Sequence, residues 1–495
     1  MTPRLPSFSR RSFSRLLLAA PAVARAWADA PTDWISLFDG RTLKGWKASE
    51  RAETFSVVDG CIQAQGGRSH LFYMGPNADF RNFEFSAEVM TRPGANSGIY
   101  FHTVFQPEGW PRAGFEVQVA NTYPGDNKKT GSLYSVRNVY KQFVDDNQWF
   151  TLAIRVQGKR VEIRLNGMLV VDYVEPAEPF RADLNFERVL GHGTFALQGH
   201  DPKSTTLFRN LRVRPLPDAA GLESSSAAPV VDDNFREIIR LGTENYPVVD
   251  YHVHLKGGLT LELALANSRR LGIFYGIAVN CGLNFPVHDD KSVQEYLATM
   301  KNQPCYAALQ GEGREWMTLT SPESIARFDY CFTDAMTFRD DTGYRRRLYV
   351  AEEMGDLSDP QAFMELYVQR IEAVLHEPID IYANPTYLPK PLVAQYDKLW
   401  TPARMQRVID AAIEQDVAIE INNRYKIPSP AFIRQAKAAG AKFSFGTNNN
   451  EAELGRMEYA IQMIRDCGLQ WQDIFVPKPD GKKPIQVKKW RATGY

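Results

Sequence analysis

Two histidines stand two residues apart in Asp250-Tyr251-His252-Val253-His254. In a strand this spacing turns both imidazoles to one face, the arrangement that a single metal ion needs. Glu116 and Gln118 repeat the spacing in Phe115-Glu116-Val117-Gln118-Val119, so an acid and an amide share one face while Phe115, Val117 and Val119 fill the other. Beside polar loops, such a face describes a groove; the plain alternative is a solvent-facing sheet. His102, Gln198 and His200 also fall at polar positions of alternating runs. Trp46, Trp110, Tyr134 and Trp149 could give a sugar ring flat faces to stack on, or could be core. No paired-carboxylate constellation of the usual glycosidase type is evident.

The elements that must hold these groups fall into two grammars. Up to about residue 215 the chain is written in short period-two runs, at 83–89, 98–102, 115–119, 151–156, 161–165 and 207–213, with Asn166-Gly167 as a hairpin turn. Many such strands without a helical period predict an all-β sandwich or jelly roll over 29–216. Residues 217–233 are small, polar and aperiodic, so 217–240 reads as a linker.

From 241 to 495, helical patterns (259–271, 359–376, 402–415, 453–467) alternate with apolar runs at 248–253, 274–279, 306–309, 330–332, 379–382, 417–421 and 442–445. This spacing predicts an α/β barrel of seven parallel strands. The strand ends carry His252 and His254, then Asn280, Glu312, Asp334, Asn384, Glu420 with Asn422, and Asn448 with Asn450. In a barrel these converge on one mouth, where catalytic groups of the fold sit, although Asn and Asp also favour turns for their own backbone chemistry.

Composition narrows the ligand class. The 495 residues hold 58 basic and 58 acidic side chains, which removes the electrostatic case for nucleic acid or an acidic lipid surface. Five scattered cysteines make neither a disulfide framework nor a zinc-finger site. The N-terminus is basic, carries Ser9-Arg10-Arg11-Ser12-Phe13, a short apolar stretch and Ala26-Trp27-Ala28. This reads as a twin-arginine export signal over 1–28, too short to span a membrane, and predicts a periplasmic or secreted product without stable membrane anchoring.

Two resemblances add to this reading. Residues 34–216 are similar over their whole length to the 3-keto-disaccharide hydrolase domain family. The matching stretches are Ile35-Ser36-Leu37-Phe38-Asp39-Gly40 through Gly45-Trp46, Asn96-Ser97-Gly98-Ile99-Tyr100-Phe101, Gly114-Phe115-Glu116-Val117-Gln118, Thr130-Gly131-Ser132-Leu133-Tyr134, Leu197-Gln198-Gly199-His200 and Phe208-Arg209-Asn210. The implied fold is a concanavalin-like jelly-roll sandwich and the implied ligand an oxidised carbohydrate. A ketone at C3 of a glycoside acidifies the C2 hydrogen, so a base can start elimination of the C1 oxygen, and water can then add back. Glu116 or His200 is the implied base. Gln118, Asn121, His102, Tyr134, Gln198 and Asn210 are the implied substrate-binding groups. Asn121 stands where many family members are expected to have an aspartate, which argues against a metal there.

The second resemblance covers 246–476. Asp250-Tyr251-His252-Val253-His254 is similar to the opening motif of the metal-dependent PHP phosphoesterases and their amidohydrolase-like relatives. Ile379-Asp380-Ile381-Tyr382-Ala383-Asn384-Pro385, Ala418-Ile419-Glu420-Ile421-Asn422 and Phe445-Gly446-Thr447-Asn448-Asn449-Asn450 resemble later ones. Asn448 and Asn450 replace an aspartate and a histidine, Asn384 and Met336 replace histidines, and Asn280-Cys281-Gly282 replaces a histidine-containing turn. Amides hold divalent ions weakly, so a multinuclear centre is not implied. What remains is one divalent metal ion on His252, His254, Glu312, Asp334 and Glu420, or acid–base work by the same groups. Asn384, Asn448 and Asn450 would then contact substrate. The alternatives are a lectin-like sandwich that only binds sugar, joined to a hydrolytic barrel, and a barrel that is inactive.

Overall fold

The alternating runs form strands in the computed structural model, which describes residues 33–218 and 228–488. They build two antiparallel sheets. One has eight strands; the other orders Trp46–Ala48, Ser69–Tyr73, Thr194–Gly199, Ser97–Thr103 and Phe115–Val119. Phe83 and Phe85 from the first meet Phe195 of the second at ring-centroid distances of 5.0 and 4.7 Å, closing an apolar core between the sheets. Alternation alone predicts a wet outer face, yet Ser97–Thr103 and Phe115–Val119 are buried at every residue. Loops fold over the outer face of the five-stranded sheet, and the site lies beneath them.

The second half is a closed barrel of seven parallel strands: Val249–His254, Phe274–Cys281, Tyr306–Gly311, Tyr330–Thr333, Ile381–Tyr382, Ala418–Asn422 and Phe443–Gly446. First and last strands are sewn together by Asp250, whose carboxylate accepts from the Thr447 backbone N–H at 3.0 Å and from Thr447 Oγ1 at 2.6 Å. Crossover helices start where polar caps permit: Thr260, Thr401 and Ser429 each accept a bond from the third residue onward. The pattern expected over 453–467 shortens to Glu458–Cys467, because Met457 adopts φ 61° and interrupts the helix.

The expected linker is also shorter. Asp233–Thr243 is an amphipathic helix capped by Asp232, with Phe235, Ile238, Ile239 and Leu241 buried. Of the segment expected to link the halves, 219–227 lies outside the described residues, as does the expected export signal at 1–28. All five cysteines are buried and unpaired. Among the described residues no helix is long and apolar enough to cross a membrane.

The sandwich docks against the end of the barrel at which its strands begin. The buried Arg137 guanidinium donates to the carbonyls of Arg269 (2.8 Å) and Arg270 (2.9 Å), the last turn of the helix Leu261–Leu271, where cations are favoured. Lys141 Nζ reaches Asp329 at 2.7 Å, and Tyr306 Oη donates to the Tyr140 carbonyl at 2.6 Å. Asn245 accepts from the Asn127 N–H through its side chain (2.8 Å) and from Asn127 Nδ2 through its carbonyl (2.7 Å). The mouth of the barrel therefore faces away from the sandwich.

Candidate active site

The roofed face of the five-stranded sheet encloses a cavity of about 270 Å³. Register explains which side chains enter it. Tyr100 pairs with Glu116 across adjacent antiparallel strands, and Gln198 lies one strand further along the same sheet. Tyr100 Oη donates to Glu116 Oε2 at 2.8 Å, while Gln198 Nε2 donates to Glu116 Oε1 at 2.9 Å and to Tyr100 Oη at 3.1 Å. Glu116 can reach across the intervening strand because Gly98 occupies it: a Cβ there would stand 2.5 Å from Glu116 Oε1.

Glu116 is 6% exposed. Burial raises its pKa above the ordinary glutamate value, opposed by the positive charge of Arg188 and by its bonds from Tyr100 and Gln198. A carboxylate held by neutral donors inside a cavity, with its pKa raised, is placed to exchange a proton with a bound ligand.

His200 and Trp110 line the same cavity, with ring centroids 5.4 Å apart. His200 Nδ1 faces Asp201 Oδ2 at 2.8 Å, and that oxygen also accepts from Ser204 Oγ at 2.7 Å. With the proton on Nδ1, facing a carboxylate, Nε2 keeps its lone pair. Gln118 and Tyr134 line the cavity too, and Tyr134 Oη donates to Asp126 at 2.9 Å. Thr243, at the end of the helix Asp233–Thr243, adds a side chain from beyond the sandwich.

Of the expected sandwich residues, the structure thus gathers Glu116, Gln118, Tyr134, Gln198 and His200. It does not gather three others. His102 adopts φ 54°, which breaks the strand's alternation and turns its ring to the Arg81 carbonyl at 2.8 Å; burial lowers its pKa to about 4. Asn121 is fully engaged in the core, donating to Thr91 Oγ1 (2.8 Å) and accepting from Thr130 Oγ1 (2.6 Å). Asn210 lies on the eight-stranded sheet and donates to Glu88 at 2.7 Å. Among the aromatic candidates, Trp110 and Tyr134 reach the cavity. Trp46 is core, bonded to the Leu37 carbonyl, and Trp149 lies under Arg209.

Tyr100, Asp201 and Arg188 belong to the site and were not among the expected residues. Tyr100 was legible, since alternation places it on the face of Gly98. Asp201 and Arg188 come from irregular loops that carry no periodic signal.

At the barrel mouth the strand ends do converge. His252 Nδ1 meets Glu420 Oε1 at 2.6 Å, and His252 Nε2 lies 3.3 Å from Gln310 Oε1. Glu420 Oε2 accepts from the Asn384 N–H (2.7 Å) and Asn422 Nδ2 (3.0 Å). Asn384 donates to Asp334 at 2.8 Å and accepts from Asn448 at 2.9 Å, while Asn280 donates to Glu312. His254 turns Nδ1 to the Ala278 carbonyl at 3.1 Å, and Asn450 is exposed. Burial raises the Asp334 and Glu312 pKa values, and the Asp334 charge adds to the effect on Glu312. Amides have thus taken up the carboxylate oxygens of the expected ligand set. Among the described residues no three His, Cys, Asp or Glu side chains close on one point as a metal ion requires, so the donor set as it stands does not fit an ion.

Comparison with known proteins bears on the sandwich. Residues 33–214 match the family model of the 3-keto-alpha-glucoside-1,2-lyase-like domain. A 3-keto-disaccharide hydrolase of Bacteroides thetaiotaomicron is 30% identical over 99 residues, 18% of this chain and 34% of that protein. The chain thus spans about a third of the length of the curated relative it matches. Among solved structures, a protein of Parabacteroides distasonis provisionally assigned as a glycosyl hydrolase is 22% identical, with a TM-score of 0.33 over 37% of this chain and 94% of that one. A carbohydrate-binding module of Bacillus subtilis is 18% identical, with a TM-score of 0.26 over 34% of this chain and 95% of that one.

Proposed function

We propose that the sandwich cavity cleaves glycosides oxidised to a ketone at C3, by removal of the C2 proton, elimination and hydration. The observation that carries this reading is the buried Glu116 carboxylate, held by Tyr100 and Gln198 and open to a cavity of about 270 Å³. Two buried acceptors on the cavity wall, Asn96 Oδ1 and Gln198 Oε1, have no donor among the described residues, which suits sugar hydroxyls. Trp110 and Tyr134 offer apolar faces to the ring. The family-model match over 33–214 and the name of the curated relative point to the same substrate class.

Glu116 is the base and His200 the acid. The C2–H bond breaks to Glu116 and its electron pair forms the C2–C3 double bond, while the C3 carbonyl pair moves to oxygen. On collapse, C3=O re-forms, a C1–C2 double bond appears and the C1–O bond breaks. The proton on Glu116 passes to the free Nε2 of His200, whose Nδ1–H faces Asp201, and from there to the departing oxygen, which restores both groups. Water then adds its oxygen to C1 and a proton to C2. The barrel at the opposite end takes no part in these steps.

The twin-arginine segment carries our reading that the protein is exported; five buried, unpaired cysteines suit a chain folded before export. Incubation of the full chain with a 3-keto-glucoside tests the activity. Release of the aglycone by the unaltered protein, reduced about 10²–10⁴-fold in Glu116→Gln, is expected. Binding without release would leave only the lectin-like reading.

A further inference from the structure

We propose that Arg188 is the residue that receives the negative charge on the C3 oxygen when C2 is deprotonated. This rests on the 3-keto reading of the cavity and goes beyond it, because that reading names a base and an acid but nothing to hold the oxyanion.

Three observations carry the assignment. Arg188 lines the cavity that contains Glu116. Among the described residues its guanidinium has no hydrogen bond to another side chain and no ion pair, whereas the other cationic lining residue, Arg181, leans on the Glu187 carbonyl. A guanidinium left with its donors free at the wall of a polar cavity is a site waiting for negative charge. Third, it is held in place without being neutralised: it stands 4.9 Å from the Phe186 centroid and 5.6 Å from that of Tyr134.

Tyr134 is itself fixed. Its hydroxyl donates to Asp126, and Lys128 Nζ stands 4.8 Å from its ring while pairing with Asp126 at 3.1 Å. The positive charge of Lys128 is therefore matched by a carboxylate and that of Arg188 is not. Arg188 also adopts φ 45°, an uncommon conformation for a non-glycine residue and one that functional positions often retain.

The chemistry suits the residue. In the ground state C3=O is a neutral carbonyl; after proton transfer to Glu116 its oxygen bears a full charge, which disperses again as the C1–O bond breaks. A cation fixed beside that oxygen binds the enediolate more tightly than the ketone, and that difference lowers the barrier. The charge of arginine does not vary over the pH range of catalysis. The groups acting electrostatically on Glu116 from the elements around it are Arg188, Tyr100, Tyr134, His200 and Lys128, joined by the neutral Gln198 amide. Removing Arg188 should therefore also raise the pH at which Glu116 ionises.

The test uses the full-length protein and a 3-keto-glucoside, with the unoxidised glucoside as a binding control. Arg188→Met is expected to lose about 10²–10³-fold in kcat, with KM changed only a few-fold. Its acid limb should move to higher pH, its affinity for the unoxidised glucoside should be preserved, and added guanidinium should restore part of the rate. Arg188→Lys, which keeps the charge, should fall between the two and guards against a folding defect. Retention of kcat within threefold in Arg188→Met overturns the inference while leaving the cleavage reading intact. Equal weakening of ketone and unoxidised sugar makes Arg188 an ordinary binding residue and also overturns it. Failure of the unaltered protein to cleave overturns the cleavage reading itself, and the inference with it.

Discussion

Gln198 Nε2 reaches Glu116 Oε1 at 2.9 Å over a strand that separates them, and it can do so because residue 98 between them is glycine. The contact is a product of sheet register, since no sequence spacing links residues 82 positions apart.

Gly98→Ala tests that relationship. The new methyl would sit 2.5 Å from Glu116 Oε1 and 3.0 Å from its Cγ. The carboxylate must move off Gln198, so kcat should fall at least tenfold. Overpacking of this kind costs about 1–3 kcal/mol, read as a lowered midpoint in urea. Full activity in Gly98→Ala would show that the Glu116–Gln198 bond is dispensable.

Glu116 must be ionised to accept the C2 proton. Its pKa is raised, chiefly by burial, so kcat/KM should fall as the pH drops through a value above the ordinary glutamate range. The linkage has the same sign. The unfolded chain ionises Glu116 first, so stability is lost as pH rises from the ordinary value through the raised one. Glu116→Gln should therefore be more stable than the unaltered protein at neutral pH and nearly equal to it at pH 4. Thermal unfolding across pH reads this directly, and an unchanged difference at every pH would exclude a raised Glu116.

How much of this was legible depends on where a residue sits. Seven barrel strands could be read from apolar runs because each is buried on both sides and bounded by polar ends, as with Tyr306–Gly311 and Tyr330–Thr333. Glu116, Gln118 and Gln198 were found because a strand's alternation survives folding. His102 and Asn210 were not where alternation put them, since φ values of 54° and 52° turn both away. Arg188 lies in a loop whose path depends on what it covers, so its place beside Glu116 exists only in three dimensions. The helix Asp233–Thr243 was hidden within a stretch whose composition reads as linker.

The seam between the halves should matter to stability. Arg137 is fully buried, with two of its bonds to helix-end carbonyls across the seam. Arg137→Ala removes charged hydrogen bonds and leaves a void, at a cost of about 3 kcal/mol. Urea unfolding followed separately by sandwich and barrel tryptophans should then split into two transitions. A single unshifted transition would mean that the seam contributes little.

In the barrel, burial raises the pKa of both Asp334 and Glu312, and the Asp334 charge adds to the cost of ionising Glu312. Asp334→Asn should raise the unfolding temperature above pH 7, where the native pair would otherwise bear charge, and change it little at pH 4. A loss of stability at high pH would show that the carboxylate is needed, as it would be if it held a cation.

The central claim is that cleavage proceeds through loss of the C2 proton to Glu116. The most direct measurement is cleavage of a 3-keto-glucoside in D₂O, with the released sugar followed by NMR at early times against product incubated alone. The account predicts one deuterium at C2 of each released 3-keto sugar, formed by the unaltered protein and about 10²–10⁴-fold more slowly by Glu116→Gln. Cleavage that leaves protium at C2 would contradict it.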